Sequence, residues 1–361
     1  MLEGHPDAAA VQAVLKDFQD PESGRDIVTM EQVHDVKIED GTLHLTLGLT
    51  SWARPIQADV VGQLQEQLRS RVPSLKEVQV TVAEHTRAPQ KLGQIGLTAK
   101  SVIAVGSGKG GVGKSTIAAS IAFGLKREGC RVGLMDADVY GPSVPHLLGM
   151  SDAGRPSIDD NKIVPPEKDG MPVMSMGFMV PAEEAVVWRG PMLHGAITQF
   201  LRDTRWGDLD YLIIDMPPGT GDIALTLSQS LPLSGAVIVC TPQDVALLDA
   251  VKAIGMFRKV NIPILGMVEN MSGFVCPDCS SRHDIFGSGG ARARAEQMQV
   301  PVLGEVPINL GIRTQGDSGN IDAAFEDPII APCLSKLAYH LVRNLSASAA
   351  AQPPQPSLPV L

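Results

Sequence analysis

This sequence has no excess of positive charge and no long apolar run. Lys and Arg number 30 against 40 Asp and Glu, a formal net charge of −10, which excludes a broad electrostatic nucleic-acid surface because phosphate binding needs clustered cations. No apolar stretch reaches the roughly 18 uninterrupted residues of a spanning helix, so no membrane-embedded role is expected. The opening Met1-Leu2-Glu3-Gly4-His5-Pro6-Asp7 has neither a charged n-region nor an apolar h-region, and the expectation is a cytoplasmic protein. Cysteine is scarce: five in 361 residues do not build a secreted disulfide framework. What remains is an ordinary globular composition, long enough for two domains, or one large and one small, with a sizeable core.

Glycine, by contrast, is concentrated in one place. Ser107-Gly108-Lys109-Gly110-Gly111-Val112-Gly113-Lys114-Ser115-Thr116 lies between an apolar run read as a strand, Ser101 to Val105, and a helical stretch, Thr116 to Arg127. Gly108 and Gly113 bracket four residues ahead of Lys114 and Ser115, the spacing of a P-loop. Such a loop turns backbone N–H groups around phosphate oxygens, and the positive end of the next helix favours the anion. The residues from Gly108 to Thr116 are therefore expected to hold ATP, with Lys114 on the β/γ-phosphates and Ser115 on Mg²⁺. Lys114 meets phosphate and has no core to fill. Lys109 comes too early to lie where Lys114 lies, so it is expected on the outer face, where a second phosphate-bearing surface can meet it; the alternative is a solvated loop lysine.

Upstream of the loop, Val11, Val14, Leu15 and Phe18 recur at helical spacing, and Val36, Ile38, then Leu43, Leu45, Leu47 and Leu49 alternate around Asp40-Gly41, a hairpin signal. Ile56, Val60, Leu64 and Leu68 give a second helix stopped by Pro73, and Val78, Val80 and Val82 a last strand. The pattern predicts a small αββαβ domain over 1–85, a linker over 86–99 marked by Pro89, Gly93 and Gly96, and a large domain over 100–345. Residues 346–361, drawn mainly from Ser, Ala, Gln and Pro, are expected to be disordered. In the large domain, strand-like runs at Val132 to Met135, Tyr211 to Ile214, Ala236 to Cys240 and Ile264 to Val268 alternate with helices near 191–204, 222–231 and 245–260. The fold class is α/β: a doubly wound, mostly parallel sheet with ligands at the carboxyl ends of its strands.

Those strand ends are polar. Asp136 and Asp138 close one strand and Asp215 another, where carboxylates beside a P-loop hold Mg²⁺ through water or orient the attacking water. Asp138 is assigned to water positioning, and Asp136 and Asp215 to the metal shell; the alternative for Asp136 is a helix cap. In Met216-Pro217-Pro218-Gly219-Thr220-Gly221-Asp222, Gly219 can flip its peptide toward a γ-phosphate. Asn270 ends the strand Leu265 to Glu269. Cys276-Pro277-Asp278-Cys279 follows, and a lone C-x-x-C reads as redox dithiol, zinc site or cluster site. It does not follow the first strand of a thioredoxin-like unit, and no second C-x-x-C completes four thiolates, which a homodimer would supply. Cys130, Cys240 and Cys333 read as packed thiols.

Lys109 to Lys114 resembles the deviant Walker A motif of the SIMIBI ATPases, which implies that Lys109 crosses a dimer interface to the partner's nucleotide and that Asn270, with its donor and acceptor, meets adenine. Asp20-Pro21-Glu22 and Asp26-Ile27-Val28 resemble the opening of the metal-sulfur cluster biosynthesis domain. Ala53 stands where members of that family often carry a cysteine, so the small domain is read as a docking or regulatory module. With Asp136-Ala137-Asp138-Val139-Tyr140-Gly141-Pro142-Ser143, Glu269-Asn270-Met271-Ser272 and the cysteine pair, the chain from about residue 8 to 345 resembles the Mrp/ApbC family of iron-sulfur cluster carriers. The resemblance implies ATP binding and hydrolysis, a homodimer, and a labile [4Fe-4S] cluster bridged by two C-x-x-C pairs. Implied partners are scaffold proteins of cluster assembly and recipient apoproteins. The competing reading is a spatial-organising ATPase of the septum-site or partition type. It leaves Cys276 and Cys279 without a role, and the helix carrying Leu334, Leu337, Leu341 and Leu345 lacks the basic face of a membrane anchor.

Overall fold

Val11, Val14 and Leu15 share one side of the first helix, α1 (Ala8–Asp17), and that side is buried, as their spacing predicts. The strands β1 (Val33–Glu39) and β2 (Thr42–Leu49) pair antiparallel, and the turn between them places Asp40 at φ 53° and Gly41 at φ 86°. Two consecutive left-handed residues suit a tight hairpin because their twist matches that of the strands. A 3-10 turn over Ser51–Ile56 buries Trp52 and Ala53, and α2 (Gln57–Arg71) buries Val60, Leu64 and Leu68 before Pro73 stops it. β3 (Glu77–Glu84) then lies parallel to β2, giving the sheet order β1-β2-β3.

The computed structural model describes residues 7–93, 95–139, 141–179, 190–219, 222–276 and 278–351. The chain divides into two compact units, Met1–Ala88 with Val342–Leu361, and Pro89–Leu341. Close to the first boundary, Arg87 is clasped by Asp20 and Glu22, each 2.8 Å from its Nη2.

Part of the stretch read as a linker is ordered structure of the second unit. β4 (Lys91–Leu92) pairs antiparallel with the start of β5 (Leu97–Ser107), and Gly93 and Gly96, at φ 55° and 72°, make the turn between them. Glycines counted as signs of irregular chain are here the means of a reversal. There follow α3 (Lys114–Arg127), β6 (Val132–Asp136), the short α4 (Val144–Leu147), the strands β7 (Ser157–Asp159), β8 (Lys162–Val164), β9 (Glu167–Lys168) and β10 (Met171–Ser175), then α5 (Gly190–Asp203). Next come β11 (Leu209–Asp215), α6 (Asp222–Ser230), β12 (Gly235–Cys240), α7 (Asp244–Lys259), β13 (Ile264–Val275), β14 (Arg282–His283), α8 (Gly290–Met298), β15 (Val302–Ile308), α9 (Leu310–Asp317) and α10 (Ala331–Ala351).

The parallel strands run in the order β15-β13-β12-β5-β11-β6-β10, with β14 and β9 added antiparallel. This is the doubly wound sheet that the alternating apolar runs predict. Along β5, Val102 and Ala104 join a core layer with Ile214, Ile238, Met267, Leu227 and Phe257, while Ile103 and Val105 point to the opposite layer. On that other side Gly124 of α3 comes so near α10 that an added Cβ would stand 3.1 Å from the Ala338 methyl carbon.

Two boundaries differ from expectation. Residues 346–351 continue α10 instead of opening a disordered tail; four of the six are alanine, the strongest helix former. Residues 352–361 lie outside the described set. β13 does not stop at Asn270 but runs on to Val275, across a break described below.

Candidate functional site

The phosphate-type loop leaves the carboxyl end of β5, whose neighbours β11 and β12 flank it from either side, the position where doubly wound sheets bind ligands. Gly111 and Gly113 adopt φ 80° and 78°, the left-handed region that side chains disfavour. Gly110 and Gly111 are exposed at the loop's crest, and Gly113 is the N-cap of the fourteen-residue α3. Gly108 is a glycine for a different reason: a Cβ there would run into the backbone of Asp249 in α7. Ser107 Oγ donates to the Lys109 carbonyl at 2.9 Å and steadies the loop's near side. The Lys109 side chain is half-buried, and among the described residues no ion pair holds its ammonium. Ser115 and Thr116 are half-buried in the first turn of α3.

Lys114 is buried, contrary to the view of it as a group reaching out of the core. Its Nζ lies 2.5 Å from Asp215 Oδ1, 3.8 Å from Asp138 Oδ2 and 3.3 Å from Ser115 Oγ. Asp215 pairs in register with Asp136 across β11 and β6, so two carboxylates and one ammonium share a closed space. Burial, then the charge of Asp215, pushes Asp136 up to about 7, and burial likewise raises Asp215. Asp215 Oδ2 is buried and, among the described residues, accepts no hydrogen bond, although the Ser115 hydroxyl is near enough to favour its charge. Asp136, by contrast, is well partnered on both oxygens: it accepts from the Asp138 N–H at 3.0 Å, the Val144 N–H at 3.2 Å and Ser175 Oγ at 3.1 Å. Those bonds favour a role in bracing the loop and capping α4 over direct metal ligation. Asp138 Oδ1 accepts from the Gly141 N–H at 3.3 Å.

The segment after Asp215 stays beside the loop. The Gly219 N–H donates to the Ser107 carbonyl at 3.0 Å with Gly219 at φ 98°; Thr220 and Gly221 lie outside the described residues. Asn270 is buried, and its Nδ2 donates to the Val112 carbonyl at 2.9 Å. The amide expected to face a base therefore grips the loop itself.

Beyond Asn270, β13 turns to pair with β14 through Phe274 with His283 and Val275 with Arg282. The Cys276 N–H donates to the Ser281 carbonyl at 3.0 Å and the Ser280 N–H to the Cys276 carbonyl at 2.9 Å. Cys276 and Cys279 thus sit at the tip of a short hairpin, half-buried and exposed respectively; Pro277 lies outside the described residues. Hydrogen bonds from Ser281, then from Cys276, hold the Cys279 thiol below the usual range, which favours the thiolate that metals take. Among the described residues no third His, Cys, Asp or Glu joins them into a metal-holding group. Cys130 and Cys240 are buried, and burial pushes Cys240 up to about 12. Cys333 is only half-buried, with its thiol donating to the Ile329 carbonyl at 3.6 Å.

Two site residues escaped the sequence reading. Ser175 ends β10 against Asp136. Glu269 is wholly buried and accepts from Ser272 Oγ at 2.6 Å, the Gly289 N–H at 2.7 Å and the Ala291 N–H at 2.6 Å. A lone acid in a buried apolar strand was the available signal, because such a charge must have partners.

The profile of the NUBPL iron-transfer P-loop NTPase matches residues 98–342, and that of an iron-sulfur cluster assembly protein matches residues 8–82. An iron-sulfur cluster carrier protein of Deinococcus radiodurans is 45% identical over 356 residues, covering 98% of this chain and 99% of the relative. A second, from Escherichia coli K12, is 42% identical over 316 residues, covering 86% and 85%. Among solved structures, a nucleotide-binding protein of Archaeoglobus fulgidus in complex with ADP is 39% identical with a TM-score of 0.57, covering 64% of this chain and 90% of that one. The cell division ATPase MinD of Pyrococcus furiosus, at 24% identity and a TM-score of 0.50 over 67% and 98% of the two chains, shares the fold.

Proposed function

This chain belongs to the iron-sulfur cluster carrier family built on an iron-transfer P-loop NTPase, and from that premise we propose that it binds and slowly hydrolyses ATP while carrying a [4Fe-4S] cluster as cargo to recipient apoproteins. The observation that carries this reading is the conjunction of a phosphate loop, gripped at Val112 by Asn270 of β13, and a thiol pair, Cys276 half-buried and Cys279 exposed, that follows the end of that same strand. Two thiolates per chain fall short of the four that such a cluster takes. Two copies, each giving Cys276 and Cys279, make up the number.

In the nucleotide site, Lys114 exchanges Asp215 for phosphate oxygens, and the N–H groups from Gly110 to Ser115 surround the anion. That exchange frees Asp215, whose unpartnered Oδ2 beside the Ser115 hydroxyl is the oxygen donor set that suits Mg²⁺. Asp215 and Ser115 would hold Mg²⁺ there, and the ion would supply positive charge to the bound phosphates. Asp138 orients the attacking water, whose oxygen bonds to the γ-phosphorus as the bond to ADP breaks. Lys109 reaches the nucleotide of a second copy and meets charge that develops in the transition state. Asp136 holds the strand end in shape through Ser175 and Val144.

A spatial-organising role gains no support from these residues: it leaves the thiol pair unused, and Leu334, Leu337, Leu341 and Leu345 of α10 are all buried in the protein. The test is iron and acid-labile sulfide content after anaerobic purification, with visible absorption and solution mass. A colourless protein, or a stoichiometric cluster on a strict monomer, would overturn the reading.

A further inference from the structure

Cys276 comes six positions after Asn270, just past the end of β13, and the local structure makes the stretch between them a lever. At one end the buried Asn270 amide donates to the Val112 carbonyl. Val112 lies between Gly111 and Gly113, the two left-handed residues of the loop, and its side chain is buried, so its carbonyl is the point at which the backbone that takes up phosphate meets β13. Immediately beyond Asn270 the strand breaks. Met271 and Gly273 adopt φ 58° and 70°, and the pairing with β15 skips from Asn270–Val306 to Phe274–Ile308. At Gly273 an added Cβ would stand 2.9 Å from both Arg282 Nε and Asp284 Oδ1, and Arg282 Nη2 donates to the Ser272 carbonyl at 3.4 Å, so the joint has room only for glycine and is braced from β14.

The arm beyond the joint is held by its own hairpin and, at Phe274, by pairing with Ile308 of β15. Phe274 and Val275 pair with His283 and Arg282, and the Cys276 N–H and carbonyl both bond within the 276–281 turn. Its return strand comes back to the body at Gly289 and Ala291, whose N–H groups are fixed by the Glu269 carboxylate. That carboxylate also accepts from Ser272 Oγ inside the joint. Both ends of the arm are thus tied to Glu269, and the outgoing end lies next to a residue that grips the phosphate loop.

The geometry points to Asn270 as a positioning residue that transmits occupancy of the phosphate loop to the cysteine hairpin, with Glu269 as the fixed anchor. A non-glycine residue stays in the left-handed region only while its surroundings determine it. For Met271 the determining neighbours are Asn270, bonded to the loop, and Ser272, bonded to Glu269. A change in the Val112 peptide therefore alters the joint and, through it, the exposure of Cys276 and Cys279. This inference rests on the reading that the loop binds ATP, but it does not require a cluster to be present.

The experiment uses the reduced, cluster-free full chain. Alkylation of Cys276 and Cys279 by iodoacetamide is timed by peptide mass spectrometry, without nucleotide and with MgADP or a non-hydrolysable Mg-ATP analogue. Nucleotide is supplied at saturation, fixed for each variant by its own binding titration. In the wild type the rate should change by about fivefold, the scale set by one neutral hydrogen bond. Asn270→Asp keeps the size of the side chain but offers no donor to the Val112 carbonyl, and its alkylation rate should not respond to nucleotide. Met271→Gly loosens the joint without touching the Asn270 amide; it should raise the basal rate and flatten the response, and it decides the matter where Asn270→Asp cannot be saturated. A role confined to local packing would shift the rates equally with and without nucleotide. The inference is overturned if the wild type binds nucleotide with no change in alkylation, or if either variant responds as the wild type does. Absence of saturable binding in the wild type would instead overturn the nucleotide reading, and the lever with it.

Discussion

In Lys114→Ala the Asp215 carboxylate loses an ammonium 2.5 Å from its Oδ1, and its Oδ2 has no hydrogen bond to fall back on. Asp215 has no exposed surface, so water cannot replace the lost partner. Removing one member of a buried pair costs about 3–5 kcal/mol, far above the half kcal/mol or so of an exposed lysine substitution. The carboxylate has one escape, which is to take up a proton. Without Lys114 its folded pKa lies further above the unfolded value of 3.8, since burial alone already raises it. A raised carboxylate contributes stability at acid pH that is lost as pH rises through the folded pKa. The deficit of Lys114→Ala should therefore be larger at high pH, where Asp215 is charged, and smaller at low pH, where it takes up a proton, with a slope of at most about 1.4 kcal/mol per pH unit. Hydrogen exchange of β11 and α3 amides, followed by mass spectrometry at pH 6 and pH 8, reads this in the unit concerned. Asp215→Asn and the double variant complete the cycle, and the double variant should recover most of the loss. Wild-type protection of Lys114→Ala at pH 8, or a deficit indifferent to Asp215→Asn, would refute the argument. The same variant should also lose ATP turnover, but lost turnover alone does not distinguish a missing phosphate contact from an unpaired carboxylate.

Cys276→Ala and Cys279→Ala should each abolish cluster retention and transfer while sparing nucleotide binding, whereas Cys130→Ser, Cys240→Ser and Cys333→Ser should retain iron and sulfide; a cluster kept by the double Cys276→Ala, Cys279→Ala variant rejects the ligand set. Dimers mixed from Lys109→Ala and Lys114→Ala subunits should regain part of the ATP turnover that either variant alone lacks, and no recovery removes the assignment of Lys109 across the interface. Asp136, raised to about 7 in the fold from an ordinary 3.8, binds a proton over that window which the unfolded chain has released. Raising the pH from 4 to 7 should therefore lower the stability of the nucleotide-free protein through this group. Asp136→Asn should show a flatter dependence of melting temperature on pH across that window, and an unchanged slope contradicts the burial argument.

The parts of the site legible in the sequence were those where chemistry imposes a spacing. Gly108, Gly113, Lys114 and Ser115 announce themselves because a phosphate cradle needs each at its place, and Asp136 and Asp215 because apolar strands end on them. What escaped depends on which groups meet through space. That Lys114 is neutralised by Asp215 before any phosphate arrives follows from the pairing of β5 with β11, which no local pattern encodes. β10 was missed because Pro172 interrupts it, and β15 because it contains Gly304 and Pro307; both lie toward the margins of the parallel set, where such residues are tolerated. Asn270 was placed on its strand, but its contact with Val112 was not legible because it joins residues 158 positions apart.

The first unit is assembled from two lengths of chain that the whole second unit separates. A carbonyl of α10 lies so near the Asp20–Gly24 turn that an added Cβ on Gly24 would stand 2.6 Å from the Ala349 oxygen, and Arg343, Ser346, Ala347 and Ala350 help line a cavity of about 310 Å³ with Phe18, Asp20, Ile56 and Val60. On the ribosome, therefore, residues 1–88 emerge first yet cannot be completed until the nucleotide-loop unit has been synthesised and α10 follows it out. Through that interval the surface that α10 later faces, with Phe18, Ile56 and Val60, lacks its covering helix. A fragment cut at Ala88 to study the small unit alone would preserve that interval indefinitely.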